Sequence, residues 1–318
     1  MKFIAELCQN HNGSYKNLRK MTIECAKNGA DIIKLQYITP KVLSFRPQFE
    51  EGLSKKKKIF SIKRPYQAEL NRLKKLVIKK KDLISFVKLC KSLKKEPAIT
   101  CFTRQDVNEI KNIGFKTVKV ASYDCASFQL LRDIKKKFKN IIVSTGATYD
   151  DEIKKASNVL GNKNFVLLHC VTIYPTPLKK INLDRINFLK KFSKKVGFSD
   201  HSLGYTENRN LASMAAIYMG AEYIERHITI LGKDKTKDGK VSIKPQDIKI
   251  IKNFSKLSKK KQLKYLSKNF DYNYNELKGK KFRKLSDEEI LNRDYYRGRF
   301  VSKVKNREIY NWEEVDLK

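Results

Sequence analysis

Two histidines and two lysines in this sequence close or interrupt apolar runs, where polar side chains need either a ligand or a partner. The stretch VGFSDHSLG, residues 196 to 204, passes from an apolar run straight into Ser199, Asp200 and His201 with no turn residue between. His227 closes a second such run, YIERHI, residues 223 to 228. Two imidazoles at adjacent strand ends, joined by oxygen ligands, suit one divalent Mn, Zn or Fe in an open site fit for Lewis-acid work. The same pair also fits a hydrogen-bonded core pair or a general base.

Lys34 and Lys119 lie within the apolar runs IIKLQ and TVKVAS, where a lone ammonium is expensive to bury. A bound phosphate or carboxylate would satisfy both. The alternatives are stems that snorkel out to water, or an amine that forms a Schiff base as in an aldolase. Ser122, Ser144, Thr145 and Gly146 add hydroxyls and permissive backbone at nearby positions, the kind of donors that collect phosphate oxygens. Glu6 in IAELCQNHNG is either a general acid or base or a charge partner for one of the lysines. Asp238 in KDGKVSIKP is placed to grip hydroxyls from a loop, or is only a turn residue beside Gly.

The elements that must carry these residues are short apolar or β-branched runs alternating with helical patterns, the signature of strand-helix units around a parallel sheet. The predicted strands are 3 to 7, 32 to 36, 97 to 102, 117 to 122, 140 to 145, 165 to 170, 195 to 199 and 223 to 228. Helical stretches such as LRKMTIECAKNG, RQDVNEIKNIG and NRNLASMAAIYMG separate them and end on Gly, as a helix stop should. Eight such units predict an α/β fold, a closed (β/α)8 barrel, whose active site gathers at the C-terminal strand ends. Those ends carry Glu6, Lys34 and Gln36, Thr100, Lys119 and Ser122, Ser144, His169, Ser199 to His201, and His227. Interior-facing strand residues should be Val, Ile or Leu unless a ligand faces them. The barrel is expected over 1–265, a linker over the polar, aromatic and aperiodic 266–294, and a short extension over 295–318.

A chain of 318 residues with 41% hydrophobic content can bury a full core. Its formal charge of +37 raises the nucleic-acid reading. The lysine clusters at 55–58, 79–81, 135–137 and 259–261 fall within or beside helical patterns, however. They read as solvated helix faces whose field would also concentrate a phosphorylated substrate, and a nucleic-acid partner is not expected. Six cysteines without a C-x-x-C pair suggest reduced thiols packed as small hydrophobes rather than disulfides or a zinc site. No run approaches the roughly 18 to 20 apolar residues of a membrane span, and no leader is evident. The expected location is cytoplasmic.

The blocks AELCQNHNGS, IIKLQY, VKVASYD, VSTGAT, LLHCVTIYPTP, GFSDHSLG and IERHITI, in this order, closely resemble the sialic acid synthase family, including its legionaminic and pseudaminic acid synthases. The resemblance runs from about residue 3 to 250. It implies an enzyme that condenses phosphoenolpyruvate with an N-acetylated hexosamine to a nine-carbon sugar acid and phosphate. It implies that His201 and His227 hold Mn2+ or Mg2+ and that Glu6 is the catalytic carboxylate. By the same carry-over Lys34, Lys119, Ser122, Ser144 and Ser199 hold the phosphate and carboxylate, with Thr100 and Gln36 nearby. Asp124, Tyr174 and Asp238 match positions that contact or orient substrates, and His169 falls in a family block behind the site. A homodimer is implied as well. Three departures stand out: Tyr123 where Gly is usual, Thr172 where Asn or Ser is common, and a tail resembling only the beginning of the antifreeze-like domain that caps the partner's site. That last departure keeps a catalytically weakened scaffold barrel open as an alternative.

Overall fold

Alternation along each strand sends one set of side chains into a barrel and the other out against helices. In the computed structural model, which describes residues 1–56 and 58–317, eight parallel strands close on themselves. They are β1 (Lys2–Cys8), β2 (Ile32–Gln36), β3 (Glu96–Cys101), β4 (Thr117–Val120), β5 (Asn140–Ser144), β6 (Asn164–His169), β7 (Val196–Asp200) and β8 (Tyr223–His227). Each pairs with its neighbours in sequence order, and β8 closes on β1. The helices are α1 (Tyr15–Lys27), α2 (Tyr66–Lys74), α3 (Lys80–Ser92), α4 (Asp106–Ile113), α5 (Phe128–Lys137), α6 (Asp150–Leu160), α7 (Arg185–Leu189), α8 (Leu211–Tyr218), α9 (Pro245–Ser255), α10 (Lys259–Lys268) and α11 (Asp287–Tyr296). The expected (β/α)8 barrel is therefore the fold.

The outward set, Phe3, Ala5 and Leu7 on β1 for instance, joins Leu18, Met21 and Cys25 of α1 in the large core between barrel and helices. The inward set, Ile4, Ile32, Ala98, Ile142, Val166, Leu168 and Tyr223, fills the lower barrel. Gly197 makes room for that layer. A Cβ there would lie 2.3 Å from the Tyr223 carbonyl oxygen and 2.7 Å from Leu168 Cδ2. One step further up seven of the eight strands the inward positions turn polar, at Glu6, Lys34, Thr100, Lys119, Ser144, Ser199 and Glu225, and that change of layer is where the site begins.

The lysine runs behave as solvated faces: Lys79 to Lys81 and Lys259 to Lys261 are all exposed, while Leu130, Leu131 and Ile134 form the buried stripe of α5 ahead of Lys135 to Lys137. Lys57 of the first cluster and Lys318 at the end of the 295–318 segment lie outside the described residues. Among the described residues no helix is long and apolar enough to cross a membrane.

The stretch expected to be a linker, 266–294, holds the end of α10 and most of α11. Ser286 caps α11 by accepting from the Glu289 amide, and the Glu289 carboxylate accepts from the Ser286 amide at 3.1 Å, a reciprocal capping box. A hairpin of β9 (Ser302–Val304) and β10 (Arg307–Ile309) follows. This tail lies on the loops at the C-terminal end of the barrel. The Val301 amide donates to Val42 (2.9 Å), the Leu130 amide to Asn311 (3.1 Å), and Asn292 Nδ2 to Thr172 (2.8 Å). Its aromatics stack on loop residues, Tyr296 on Tyr123 at 4.8 Å and Tyr295 edge-on to Phe49 at 5.1 Å. They meet loops, not a sheet, so no amphipathic stripe marks them in the sequence.

Candidate functional site

Register sets the site. Glu6 pairs with His227 on one side and Lys34 on the other, Thr100 pairs with Gln36 and Lys119, and Ser199 pairs with Glu225. All project inward from the layer above the apolar plug, and Glu6, Lys34, Thr100, Lys119, Ser199 and Glu225 are buried. The Lys34 ammonium forms an ion pair with Glu6 and donates to Thr100 Oγ1 at 3.2 Å. Lys119 Nζ donates to both Glu225 oxygens, at 2.7 and 2.9 Å, and Ser199 Oγ donates to Glu225 Oε1 at 2.9 Å. Glu225 Oε2 also lies 3.8 Å from Lys34 Nζ. The snorkelling alternative is thereby set aside, since both lysines point into the barrel onto carboxylates. Burial, reinforced by the Lys119 charge, pulls Lys34 down to about 7 against the pull of Glu225. Burial acting alone would raise Glu225, but Lys119 and Lys34 hold it well below the usual carboxylate range.

Glu225 is the functional-type residue that sequence reasoning passed over. It stands two residues before His227, on the same face of β8, so strand periodicity was the signal that could have found it.

The VGFSDHSLG stretch divides by the same rule. Ser199 and His201 face the barrel, while Asp200 turns outward to Arg226, its register partner on β8, at 2.6 Å, with both side chains fully buried. Asp200 also accepts from Ser213 Oγ at 2.6 Å and the Ser202 amide at 2.9 Å. Gly204 ends the stretch where a Cβ would come 2.0 Å from the Ser242 carbonyl oxygen, so the loops after β7 and β8 can touch. His169, grouped with the strand ends in the sequence, faces outward. Its Nε2 lies 2.7 Å from the Ile181 carbonyl oxygen and its ring stacks on Phe198.

The His201 and His227 rings lie with centroids 5.3 Å apart, and Tyr174 meets His201 edge-on at 4.7 Å. Nδ1 of each histidine is buried and lacks a hydrogen-bond partner among the described residues. Burial lowers His201 to about 4, and burial with the neighbouring His201 and Lys34 holds His227 well below the usual imidazole range. Both are therefore neutral imidazoles with free lone pairs at neutral pH, the form that ligates metals. Asp238, from the loop after β8, comes within 2.8 Å of the Cys8 thiol. One ligand atom each from Cys8, His227 and Asp238 all lie within 4.8 Å of one another. Cys8, read from the sequence only as a packed thiol, is thus the second residue that reasoning missed.

The other candidates spread around this centre. Gln36 accepts from Gln9 Nε2 at 3.0 Å, and Ser122 Oγ lies 2.9 Å from Cys170 Sγ. Ser144 is buried with no side-chain bond among the described residues, whereas the Thr145 hydroxyl is spent on the Leu168 carbonyl at 3.1 Å. Asp124 accepts from Ser127 Oγ and from Asn311 Nδ2 of the tail, both at 2.9 Å, and burial raises it to about 6. Among the described residues its recorded side-chain bonds go to those two groups and not to the lysine cluster.

A model of the NeuB family matches residues 22–266. The N,N'-diacetyllegionaminic acid synthase of Campylobacter jejuni is 32% identical over 259 residues, covering 78% of this chain and 73% of its own length. The pseudaminic acid synthase of the same organism is 31% identical over 261 residues, covering 78% and 71%. Among solved structures, the N-acetylneuraminic acid synthetase of Leptospira borgpetersenii, in complex with citrate, superposes with a TM-score of 0.68 at 25% identity, covering 85% of this chain and 86% of its own. The barrel, its charged inner layer and these likenesses together show that the chain belongs to the NeuB family, a family of sugar acid synthases.

Proposed function

We propose that this enzyme condenses phosphoenolpyruvate with an N-acetylated hexosamine, forming a nine-carbon sialic-acid-like sugar acid and inorganic phosphate. The observation that carries the reading is the buried Glu6–Lys34–Glu225–Lys119 cluster set beside two neutral imidazoles. Two ammonium groups are too costly to keep in a barrel for packing alone. They make sense as seats for an anionic substrate.

In this reading Lys34 and Lys119, with Ser122, Ser144, Ser199 and the nearby Thr100 and Gln36, hold the phosphate and carboxylate. Glu225 keeps the two ammonium groups compensated while the seat is empty. The unpartnered Nδ1 atoms of His201 and His227 fit a divalent cation, Mn2+ or Mg2+ in the family pattern. Such a cation would supply Lewis acidity to the open-chain aldehyde of the sugar. The enol carbon attacks that carbonyl carbon, and water adds to the oxocarbenium left at the second carbon of the enol. Glu6, held by Lys34 and by the Cys8 amide at 2.7 Å, takes the proton of that water. The tetrahedral intermediate then expels phosphate by C–O cleavage. Preorganised charge around the developing charges is the main catalytic resource.

N-acetylmannosamine is one acceptor. The diacetylated product named for the relative at 32% identity supports a 2,4-diacetamido-trideoxyhexose as the other. Residues 1–265 form the synthase barrel in this reading, and 295–318 the start of an antifreeze-like domain. Asn311 on Asp124 and Tyr296 on Tyr123 support a tail that closes over its own barrel mouth.

The test is phosphate release from phosphoenolpyruvate labelled with 18O in the bridging position, using metal-stripped protein with and without Mn2+ and with each sugar. Release that needs both metal and one of the sugars, with the label in the phosphate, is expected. No release from folded protein with either sugar overturns the proposal and returns the weight to a scaffold barrel.

A further inference from the structure

We propose that Cys8 is a metal ligand, so that this barrel binds its cation through a sulfur, an imidazole and a carboxylate, and prefers Fe2+, Co2+ or Zn2+ to Mg2+. The inference rests on the reading that the histidine end of the site holds a metal. It adds a ligand set which that reading does not contain.

The placement of Cys8 is specific. It ends β1 at a register irregularity against β2 between Glu6 and Cys8, in the left-handed region at φ 46°. Irregularities of this kind re-aim a side chain at a strand end. The other five cysteines are likewise buried and unpaired, but among the described residues Cys8 alone belongs to a cluster able to hold an ion. Its Sγ lies 2.8 Å from Asp238 Oδ2, and His227 completes a triangle with ligand atoms within 4.8 Å of one another. The independent sign that something is meant to sit there is His227 itself, more than nine-tenths buried with an unpartnered Nδ1. His201, equally unpartnered at Nδ1, stands beside it with ring centroids 5.3 Å apart.

Ligand chemistry then selects the ion. Thiolate with imidazole suits the borderline-soft first-row cations, whereas Mg2+ takes oxygen ligands and keeps its waters. Before loading, the thiol hydrogen bonds to Asp238. On loading, the sulfur gives up its proton to solvent and the sulfur–metal bond replaces it, as metal binding to cysteine requires. The carboxylate is freed to coordinate in the same step. The hydrogen bond seen between Cys8 and Asp238 is, on this view, the resting form of two ligands.

The experiment is optical titration of the metal-stripped full-length protein with Co2+. Visible ligand-field bands report that cobalt is bound, and an intense near-ultraviolet band reports charge transfer from thiolate sulfur to cobalt. Both are expected, with the near-ultraviolet band lost in Cys8→Ser and Co2+ affinity lowered at least tenfold. X-ray absorption of the zinc-loaded wild-type protein, which needs no variant to fold, should show one sulfur at about 2.3 Å. Visible bands without charge transfer, or zinc with no sulfur neighbour, overturn the thiolate ligand and leave the histidine metal reading standing. No cobalt binding at all overturns both.

Discussion

Replacing Glu225 by Gln tests the central electrostatic argument with little change of shape. The side chain is buried, accepts from Lys119 at 2.7 and 2.9 Å and from Ser199 at 2.9 Å, and lies 3.8 Å from Lys34. Glutamine matches glutamate in volume, so no cavity opens. What disappears is one of two negative charges facing two positive ones. Removing one partner of a buried ion pair costs about 3–5 kcal/mol, because the other charge is left uncompensated. At an unfolding entropy of roughly 2.1 cal/mol/K per residue, the loss corresponds to a fall in melting temperature of about 5–8 °C for a chain of this length.

The same substitution leaves the cluster with a net positive charge and should make it a better anion seat. Inorganic phosphate is then expected to stabilise Glu225→Gln more than the wild type. The gap between them should narrow by about 1.4 kcal/mol for each tenfold gain in affinity. Raising the pH towards about 7 should also narrow it, since without the upward pull of Glu225 the variant's Lys34 sheds its proton below the wild-type value. Thermal unfolding with and without phosphate, with the phosphate dissociation constant measured by calorimetry, gives all three quantities. A loss below about 1 kcal/mol, or a gap that phosphate does not narrow, would refute the claim that Lys34 and Lys119 form a compensated anion seat.

Wild-type anion affinity should depend on pH in a defined direction. A phosphomonoester becomes a dianion above a pKa of about 6, and Lys34 loses its charge as pH rises through about 7, so calorimetric affinity for phosphoenolpyruvate should peak between the two. Affinity that stays flat up to pH 9 would contradict the lowered Lys34 value. Borohydride treatment in the presence of substrates should trap no adduct on Lys34 or Lys119, both held by carboxylates; a reduced adduct found by mass spectrometry would reinstate the Schiff-base alternative. Asn311→Ala removes the tail's donor to Asp124 and to the Phe102 carbonyl, at 2.9 and 2.8 Å, and should cost about 1–3 kcal/mol. Proteolysis at the tail should rise with it, and unchanged urea unfolding and cleavage would mean that the tail is not held there.

The barrel was legible because each strand-helix unit is a local pattern: Ile32–Gln36 and Asn140–Ser144 read as strands from a few residues, with boundaries within one or two positions. The site was legible only in part. Glu6, Lys34, Lys119, His201 and His227 announce themselves as polar groups in apolar runs, whereas Glu225 hides inside YIERHI, where a strand-end reading stops at the histidine. Counting by twos back from His227 recovers it, and the same count turns His169 and Asp200 outward. Cys8 was illegible for a different reason. Its role depends on Asp238, 230 positions away, and a cysteine without a nearby partner motif reads as a small hydrophobe. The tail was read as a linker although Ser286 and Glu289 spell a capping box, the one local signal of α11. Its packing on Tyr123 was not, because stacking with Tyr296 is a contact between distant loops.

That stacking gives one departure from the family pattern a physical reason. Tyr123 stands where the resemblance leads one to expect Gly, and a tyrosine at the mouth of a barrel would crowd the substrate side unless something drew its ring away. The Tyr296 ring lies nearly parallel to it at 4.8 Å, and the tail is tied down on both sides of that contact by Asn292 to Thr172 and by Asn311 to Asp124. Thr172, the second departure, is thus held through its carbonyl by the same tail. Both unusual residues are contact points for the C-terminal segment, and Asp124, matched to a substrate-orienting position, is the third. The tail and these three loop residues therefore form one unit, and in the proposed reading the room for an acceptor depends on how α11 lies on the barrel as well as on the strand ends beneath it.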